Sequence, residues 1–421
     1  MIVKISEKNS VNRAFNTAVL LVYLTAYFLL GLLPRIKYSV PYVFAGVFTM
    51  IPAFMVCIGK TPFIKPILFM GFASVIQALL AYLLGNAIMT DIFNVPIRTI
   101  RYFVPCILLA WTINLTPKKQ MFIWGLITTL LLFVAINTLL AVEINPMVAR
   151  LLASGSRDKE LMAYRMQNIG GFEFCYAVCL LYGLCVYLSI RTTGIVKVVG
   201  IVAVVFITYF TIQVQYMTML LLCIAAFVFV VMFSAKKNVS KIVAVLISLF
   251  FLLGLPSLLR WIAEFDVGDQ LYSKLIEVAG ILDGTREFSE ANARSELYLN
   301  ALMDFLWSPI WGTPYSAAAA KSHSAFLGAA AATGIIGLSA YICGISQCYQ
   351  QTKAILIYKQ CDTGIFALSF LVFVILAFVN PIEYSYELSI VLFYYIPLTI
   401  ILVSNRYPLA FLKTAKERTA I

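Results

Sequence analysis

The sequence has few charged residues and only one histidine, and both shortages limit what the protein can be. Only 12% of its residues are charged, whereas 62% are apolar and the mean hydropathy is +0.94. This composition excludes a soluble domain and predicts an all-α polytopic membrane protein, which at 421 residues forms one integral bundle. The formal net charge of +12 does not indicate a nucleic-acid partner, because membrane topology accounts for most of it.

Several chemistries lack the residues that they require. The nine cysteines fall in apolar runs or in one predicted cytoplasmic loop, so we expect neither a disulfide framework nor a zinc site outside. No glycine-rich phosphate loop ending in Lys-Ser or Lys-Thr is present, so ATP is not an obvious energy source. No Ser-His-Asp set is readable. We therefore expect a protein without a metal or another cofactor.

Long apolar runs predict about twelve transmembrane helices. Runs near 20 apolar residues are long enough to cross a bilayer. The predicted spans are 14–34, 39–58, 66–88, 97–115, 120–142, 169–190, 195–213, 216–234, 240–256, 324–347, 363–380 and 386–404. The fourth span is the weakest, since Arg98, Arg101 and Pro105 interrupt it.

Basic residues predict the orientation of these spans. If the N-terminus is cytoplasmic, every inner segment carries at least two Lys or Arg residues, as the positive-inside rule requires. Omitting the fourth span would move Lys118, Lys119 and most later basic turns outside, so we retain it. The predicted topology is N-in/C-in. It places helices 1–9 in 1–256 with an external loop at about 143–168, a large extracytoplasmic loop at 257–322, and helices 10–12 with a cytoplasmic tail in 323–421.

The large loop carries two helical patterns. Its first part predicts one amphipathic helix along the membrane surface, from the helical spacing of Leu258, Trp261, Ile262, Phe265, Tyr272, Leu275, Ile276 and Ala279. A second helix is predicted from about Ser289 to Trp307, where Ser308-Pro309 stops it. A long polar loop in so apolar a chain indicates a function.

Three residues on the predicted external face are candidate catalytic groups: Arg165, Arg294 and His323. Two arginines could hold a diphosphate leaving group and stabilise its developing charge without a metal ion. A neutral histidine could accept the proton of an attacking hydroxyl near neutral pH. Each residue also has a structural alternative, since external arginines are often solvated or paired and an interfacial histidine is often a polar anchor.

Other polar residues have two interpretations each. Glu173, inside the sixth predicted span, is costly there and should be functional or paired with an arginine. Trp307 and Trp311 fit an aromatic belt at the membrane interface or a surface on which sugars stack. Glu383 and Glu387 fall in the last external turn, where we expect them to be solvated.

Four short segments resemble the conserved region of the O-antigen ligase and Wzy-type polysaccharide polymerase superfamily: Ala293–Tyr298, Ser308–Gly312, Ser322–Leu327 and Gly334–Leu338. In that family an arginine opens a helix in the large external loop. A turn ending in glycine follows, then a histidine with a small polar neighbour, then a glycine-rich span. Arg165, with Asn168 and Gly170-Gly171 downstream, resembles the second arginine site of the family.

The resemblance implies a GT-C-like bundle and a metal-independent, inverting glycosyltransferase in the inner (plasma) membrane of a bacterium. Its donor would be an undecaprenyl-diphosphate-linked glycan. His323 would be the base or orient the acceptor, while Arg294 and Arg165 would hold the diphosphate. The products would be O-antigen of lipopolysaccharide or capsular polysaccharide, and a chain-length regulator and a flippase are possible partners. The candidate substrate-binding residues are Glu173, Asn168, Tyr164, Tyr298, Trp311, Arg157 and Arg150.

Two departures and two alternatives accompany this interpretation. Ser324 stands where an asparagine is common, and the turn Gln213–Thr218 lacks the Ser-Arg often present in ligases. The second departure favours a polymerase over an O-antigen ligase that transfers glycan to lipid A core. The other alternative is a lipid-linked oligosaccharide flippase or another twelve-span transporter. Transporters usually have short loops and related halves, and this chain shows neither.

Overall fold

The computed structural model describes residues 10–58, 72, 75–76, 79, 82–83, 100, 102–152, 159–234, 254–265, 269–283, 289–313, 324–382 and 385–406. Every regular element in these ranges is helical, in agreement with the predicted all-α class. Five described helices are long and apolar enough to cross a membrane: Pro117–Ile144, Phe172–Arg191, Gly194–Gln213, Ala325–Tyr358 and Tyr386–Asn405. Most of the third and ninth predicted spans lie outside the described residues.

Most described helices coincide with predicted spans or loop helices. In chain order they are α1 Ser10–Leu32, α2 Pro34–Ser39, α3 Tyr42–Ile58, α4 Val104–Thr112, α5 Pro117–Ile144, α6 Val148–Leu151, α7 Lys159–Met166, α8 Phe172–Arg191, α9 Gly194–Gln213, α10 Met217–Ser234, α11 Leu255–Ala263, α12 Asp269–Leu282, α13 Ser289–Trp307, α14 Ala325–Tyr358, α15 Gly364–Val379, α16 Tyr386–Ile390 and, after a π-turn, α17 Ile396–Arg406. The predicted loop helix from Ser289 to Trp307 is confirmed as α13.

The fourth predicted span contains a helix much shorter than the apolar run. Helix α4 has nine residues, about 14 Å at 1.5 Å per residue, so it does not cross a bilayer by itself. A side chain adds hydrogen bonds at its C-terminal end, beside the backbone bond from Leu115 N to Thr112 O at 2.9 Å. The amide of Gln120 donates to the carbonyl oxygens of Thr112 at 3.3 Å and Leu115 at 2.9 Å.

The described residues form two compact units. Unit 1 draws on Met1–Leu132, Glu296–Cys361 and Ala377–Asn405, and unit 2 on Phe133–Ser295, Asp362–Leu376 and Arg406–Ile421. In each unit the helices pack around one strongly buried helix, α16–α17 in unit 1 and α8 in unit 2.

The last helix is the core of unit 1 because it is apolar on all sides. The Phe28 ring of α1 lies 4.7 Å from the Tyr394 ring, and the Tyr27 ring lies 5.3 Å from the Tyr386 ring, centroid to centroid. A Cβ on Gly31 would overlap the Tyr386 ring, so glycine permits this approach of α1 to the core.

A π-turn at Val391–Tyr395 directs two adjacent tyrosines to different helices. The Tyr394 hydroxyl lies 2.7 Å from Thr112 Oγ1 at the end of α4, and the Tyr395 hydroxyl lies 2.7 Å from Thr128 Oγ1 in α5. Buried hydroxyls cost free energy unless they are hydrogen-bonded. Pairing them therefore fixes α4 and α5 against the last helix.

Glu387 is not the solvated residue that its place in an external turn predicted. Its carboxylate accepts a hydrogen bond from Lys37 Nζ at 2.9 Å, and the residue is only 7% exposed. The prediction was wrong because α2 folds over α16, which sequence separation conceals. The ion pair connects positions 350 residues apart.

Small residues bring the helices of unit 2 close together. A Cβ on Gly200 of α9 would lie 2.8 Å from the backbone nitrogen of Ser189 in α8, so the two helices meet almost at backbone contact. Between α8 and α10, the thiols of Cys179 and Cys223 lie 3.6 Å apart. Most of the described cysteines are buried between helices, where a small apolar side chain packs well.

The start of the large loop is two helices, not the single helix that its pattern predicted. Leu259 and Ala263 of α11 join Leu275 and Ala279 of α12 in a buried cluster with Met217 and Leu220 of α10. An ion pair between Arg260 and Asp283 also joins the two helices. These apolar positions therefore pack on protein. Trp261, Phe265 and Tyr272, each more than half exposed, remain able to face a membrane surface.

We predict that Lys37 and Glu387 are energetically coupled. K37M removes the ammonium group that faces the buried Glu387 carboxylate, and E387Q removes the charge that faces the partly exposed Lys37. The losses of unfolding free energy in the two single variants should therefore sum to more than the loss in the double variant. We expect a coupling free energy of about 1–2 kcal/mol. A double-mutant cycle of the free energy of unfolding in detergent micelles measures it. Lys359→Met is the control, and additive effects of K37M and E387Q would contradict the prediction.

Candidate functional site

The structure describes the side chains of seven of the ten predicted site residues. Arg157 and His323 lie outside the described residues, and Arg294 is described only as a position on α13. Arg150, Tyr164, Arg165, Asn168 and Glu173 belong to unit 2, whereas Tyr298 and Trp311 belong to unit 1. The two groups are described separately below.

Arg150 in unit 2 is held by a turn between two other helices. Its Nη2 donates to the carbonyl oxygen of Gln215 at 2.7 Å, and its guanidinium carbon lies 5.6 Å from the centre of the Tyr216 ring. Gln215 has a left-handed backbone, φ +56°, immediately after the end of α9. A carbonyl and a ring face therefore fix the plane of this cation, and a planar guanidinium recognises phosphate oxygens in pairs.

Arg165 is a buried cation at the end of α7. It is 5% exposed, and its Nη1 lies 3.5 Å from the sulfur of Met162, one turn earlier in the same helix. Burying a guanidinium is costly unless interactions compensate it. The structure thus places this predicted catalytic arginine inside unit 2, not on a solvated surface.

The turn after Arg165 explains the asparagine in the predicted motif. Asn168 adopts φ +58° and ends α7 in a Schellman motif, with Asn168 N bonded to Arg165 O at 3.1 Å and Ile169 N to Tyr164 O at 3.4 Å. Asparagine accepts this left-handed conformation more readily than most residues. Asn168 and Tyr164 therefore have a structural role that sequence reasoning did not identify.

The two arginine segments of unit 2 adjoin each other. Gly170 N donates to Thr138 Oγ1 of α5 at 2.8 Å, which secures the turn that follows α7. A Cβ on Gly171 would lie 3.4 Å from Leu152, two residues after Arg150. The chain near Arg165 and the chain near Arg150 therefore pack side by side.

Glu173 lies at the start of a membrane helix instead of inside it. Helix α8 begins at Phe172, so the carboxylate sits in the first turn, partly exposed. A negative charge is favourable there because the N-terminus carries the positive end of the helix dipole. The predicted cost of a carboxylate within a span does not apply, and the first-turn position gives Glu173 a structural explanation.

In unit 1, the predicted glycine turn packs against a break in α14. Gly334 interrupts that helix with φ +59° and ψ −166°. The turn supplies partners for the interrupted backbone, since Thr313 N donates to Ala331 O at 2.7 Å and Ile335 N donates to Pro309 O at 2.8 Å. Gly312, at φ +77°, and Gly334 approach so closely that a Cβ on either would overlap the backbone of the other segment.

The residue after His323 is fixed from two directions. Ser324 is fully buried and caps α14, where its Oγ accepts a hydrogen bond from Leu327 N at 3.2 Å. Ala325 N donates to Asn380 O, at the end of α15, at 3.1 Å. Ser324, which departs from the pattern of the family that the sequence resembles, therefore has a capping role.

The remaining predicted residues of unit 1 lie on and after α13. Tyr298 is half-buried on α13. Trp311 is 48% exposed in the turn that packs on α14, and Trp307 at the end of α13 is 87% exposed. Both tryptophans present open ring surface, which suits a membrane interface or a sugar. No described group of His, Cys, Asp or Glu side chains could hold a metal ion.

We predict that Gly334 tolerates no side chain. Gly334→Ala places a Cβ against the Ile310 carbonyl at a positive φ, so it should lower the free energy of unfolding by at least about 2 kcal/mol, and Gly334→Leu by more. Thermal unfolding of the purified variants measures the loss. Gly125→Ala is the matched control, because a Cβ there would meet nothing within 4 Å. Equal stability of G334A and the parent protein would show that the break does not need glycine.

Comparison with known proteins adds no family assignment. No protein-family model matches the chain, and no curated protein matches it. The function must therefore be argued from the residues and their arrangement.

Proposed function

We propose that this protein polymerises undecaprenyl-diphosphate-linked oligosaccharide repeat units into O-antigen or capsular polysaccharide at the external face of a bacterial inner membrane. The observation that carries the proposal is the fixed backbone that begins at Ser324, the residue after His323 in the sequence. The one histidine of the chain directly precedes a capped helix whose break is locked to the end of the large loop. Two arginines with fixed surroundings, Arg150 and Arg165, support it further.

The proposal includes twelve spans with both termini in the cytoplasm. Contacts within each unit support this alternation, because they join segments that it assigns to one side. Lys37 with Glu387, Arg150 with Gln215, and Ala325 with Asn380 would all be external. The Tyr187 hydroxyl, which donates to Asp362 at 2.8 Å, would be near the cytoplasmic face.

The proposed reaction needs a base and a stabilised leaving group. A hydroxyl of the acceptor repeat unit attacks the anomeric carbon of the donor sugar from the face opposite the diphosphate. The bond between that carbon and the diphosphate oxygen breaks, with inversion, and the hydroxyl proton passes to His323. Arg165 and Arg294 stabilise the negative charge that develops on the departing undecaprenyl diphosphate.

The break in α14 at Gly334 resembles the interrupted helices of transporters. In many transporters, interrupted helices offer free backbone groups to substrates and ions. Here Thr313 and Pro309 already occupy Ala331 O and Ile335 N. The break therefore serves packing, which favours an enzyme with a fixed site over alternating access at this position.

Replacing the histidine tests the proposed activity. In cells that supply the repeat unit, His323→Ala should leave single units or very short chains on a surface-glycan gel. Losing a general base typically costs about 10²–10⁴-fold in rate. Protein abundance in the membrane fraction is measured alongside. The control is Arg286→Gln, which removes a basic residue of the same loop that has no assigned role.

Other outcomes separate the alternatives. A full-length ladder from H323A at normal abundance would refute the role of His323. Loss of surface decoration with polymer retained on its lipid carrier would instead identify a ligase. Lipid-linked repeat units that accumulate only on the cytoplasmic side would identify a flippase.

Arg165→Lys separates recognition from folding. Lysine keeps the charge but loses the planar fork that binds two phosphate oxygens, so chain length should fall sharply while thermal stability changes little. We expect polymerisation to slow by about 10²-fold or more. A normal ladder from R165K would mean that Arg165 does not bind the diphosphate.

A further inference from the structure

Unit 1 has an apolar groove between α1 and α5. It is an open groove with a volume of about 410 Å³, lined by Leu21, Val22, Thr25, Ala26, Leu29 and Phe122. The lining positions of α1 repeat at helical spacing, so they form one continuous face. Val22 and Phe122 are 70% and 59% exposed, which in a membrane helix indicates contact with lipid.

Two lysines lie one turn from the Phe122 end of the groove. Lys118 and Lys119 precede Phe122 by four and three positions, which places all three on one face of α5. Gly125, three positions beyond Phe122, leaves open space, since a Cβ there would meet nothing within 4 Å. The apolar groove and the basic turn are therefore continuous along α5.

The charge at this end of α5 is positive and uncompensated along the helix. The first turn of α5 contains no acidic residue, and the ion pairs among the described residues involve other side chains. The positive end of the helix dipole adds to the two ammonium groups. Because α5 is long and apolar enough to cross a membrane, its first turn lies at the level of lipid headgroups.

We propose that this groove binds a phospholipid with a net negative headgroup. One acyl chain lies along α1 from Leu21 to Leu29, and the phosphate lies at Lys118 and Lys119. Thr25 carries the only hydroxyl in the lining, so a sugar finds too few partners there. The cationic group of a zwitterionic lipid would meet like charge at the lysines, which favours an anionic lipid. The proposal does not depend on glycosyl transfer.

Lipid binding to the purified full-length protein tests the proposal. Native mass spectrometry in detergent compares phosphatidylglycerol with phosphatidylcholine, and we expect the protein to retain phosphatidylglycerol preferentially. K118Q and K119Q should each reduce this preference about fivefold, and the double variant by more. Lys197→Gln, a single exposed lysine near the start of α9, is the matched control and should leave the preference unchanged.

Two further variants test the two parts of the site. K118R/K119R keeps both charges and should keep the preference. Ala26→Phe fills the groove from a partly exposed position and should weaken retention of both lipids without lowering the unfolding temperature. The proposal is overturned if the parent protein binds both lipids equally, if K118Q/K119Q keeps the preference, or if A26F retains lipid as the parent does. Equal retention of both lipids by every variant would mean ordinary boundary lipid.

Discussion

Backbone groups that leave a helix inside a membrane protein must find new partners within the protein, and this constraint shapes the described structure. At Gly334 the break in α14 is acceptable only because the turn Pro309–Thr313 supplies one donor and one acceptor. The two glycines at the crossing, Gly312 and Gly334, are required because the backbones approach too closely for any Cβ. The end of the large loop is thereby tied to the helix that starts beside His323.

The same constraint governs how several helices end. Asn168 and Gln360 both adopt a left-handed conformation at a helix C-terminus, with the Schellman pair of backbone bonds behind each residue. Gln215 adopts it at the end of α9. At two of these three helix ends, the turn contacts an arginine. Arg165 lies within the capped turn of α7, and Arg150 donates to the Gln215 carbonyl after α9. In unit 2, the turns that satisfy the backbone at these helix ends therefore also hold the two arginines.

The sequence predicted helices well because apolar run length and breaker residues act locally. The helix from Ser289 to Trp307 was predicted to the residue. The fourth span was not, since α4 ends at Thr112, where the Gln120 side chain bonds to carbonyl oxygens at and just beyond the helix end. The pattern at 258–279 correctly indicated helix, but the buried positions there pack on α10 and not on lipid. An apolar helical stripe does not distinguish these two apolar surroundings. Among the predicted site residues, the pattern found Arg165 and Arg150 but could not reveal Thr138 or Gln215, which hold their surroundings.

Composition and the length of the apolar runs indicated an all-α membrane protein, because runs near 20 apolar residues can satisfy their own backbone only as helices within a membrane. The residue types also determined which chemistry is available: one imidazole and several guanidinium groups. Only the tertiary structure decided that Glu387 is buried against Lys37, that Glu173 lies at a helix start, and that Arg165 is buried. These features depend on contacts between segments far apart in the chain, and local hydrophobicity and helix propensity carry no information about such contacts.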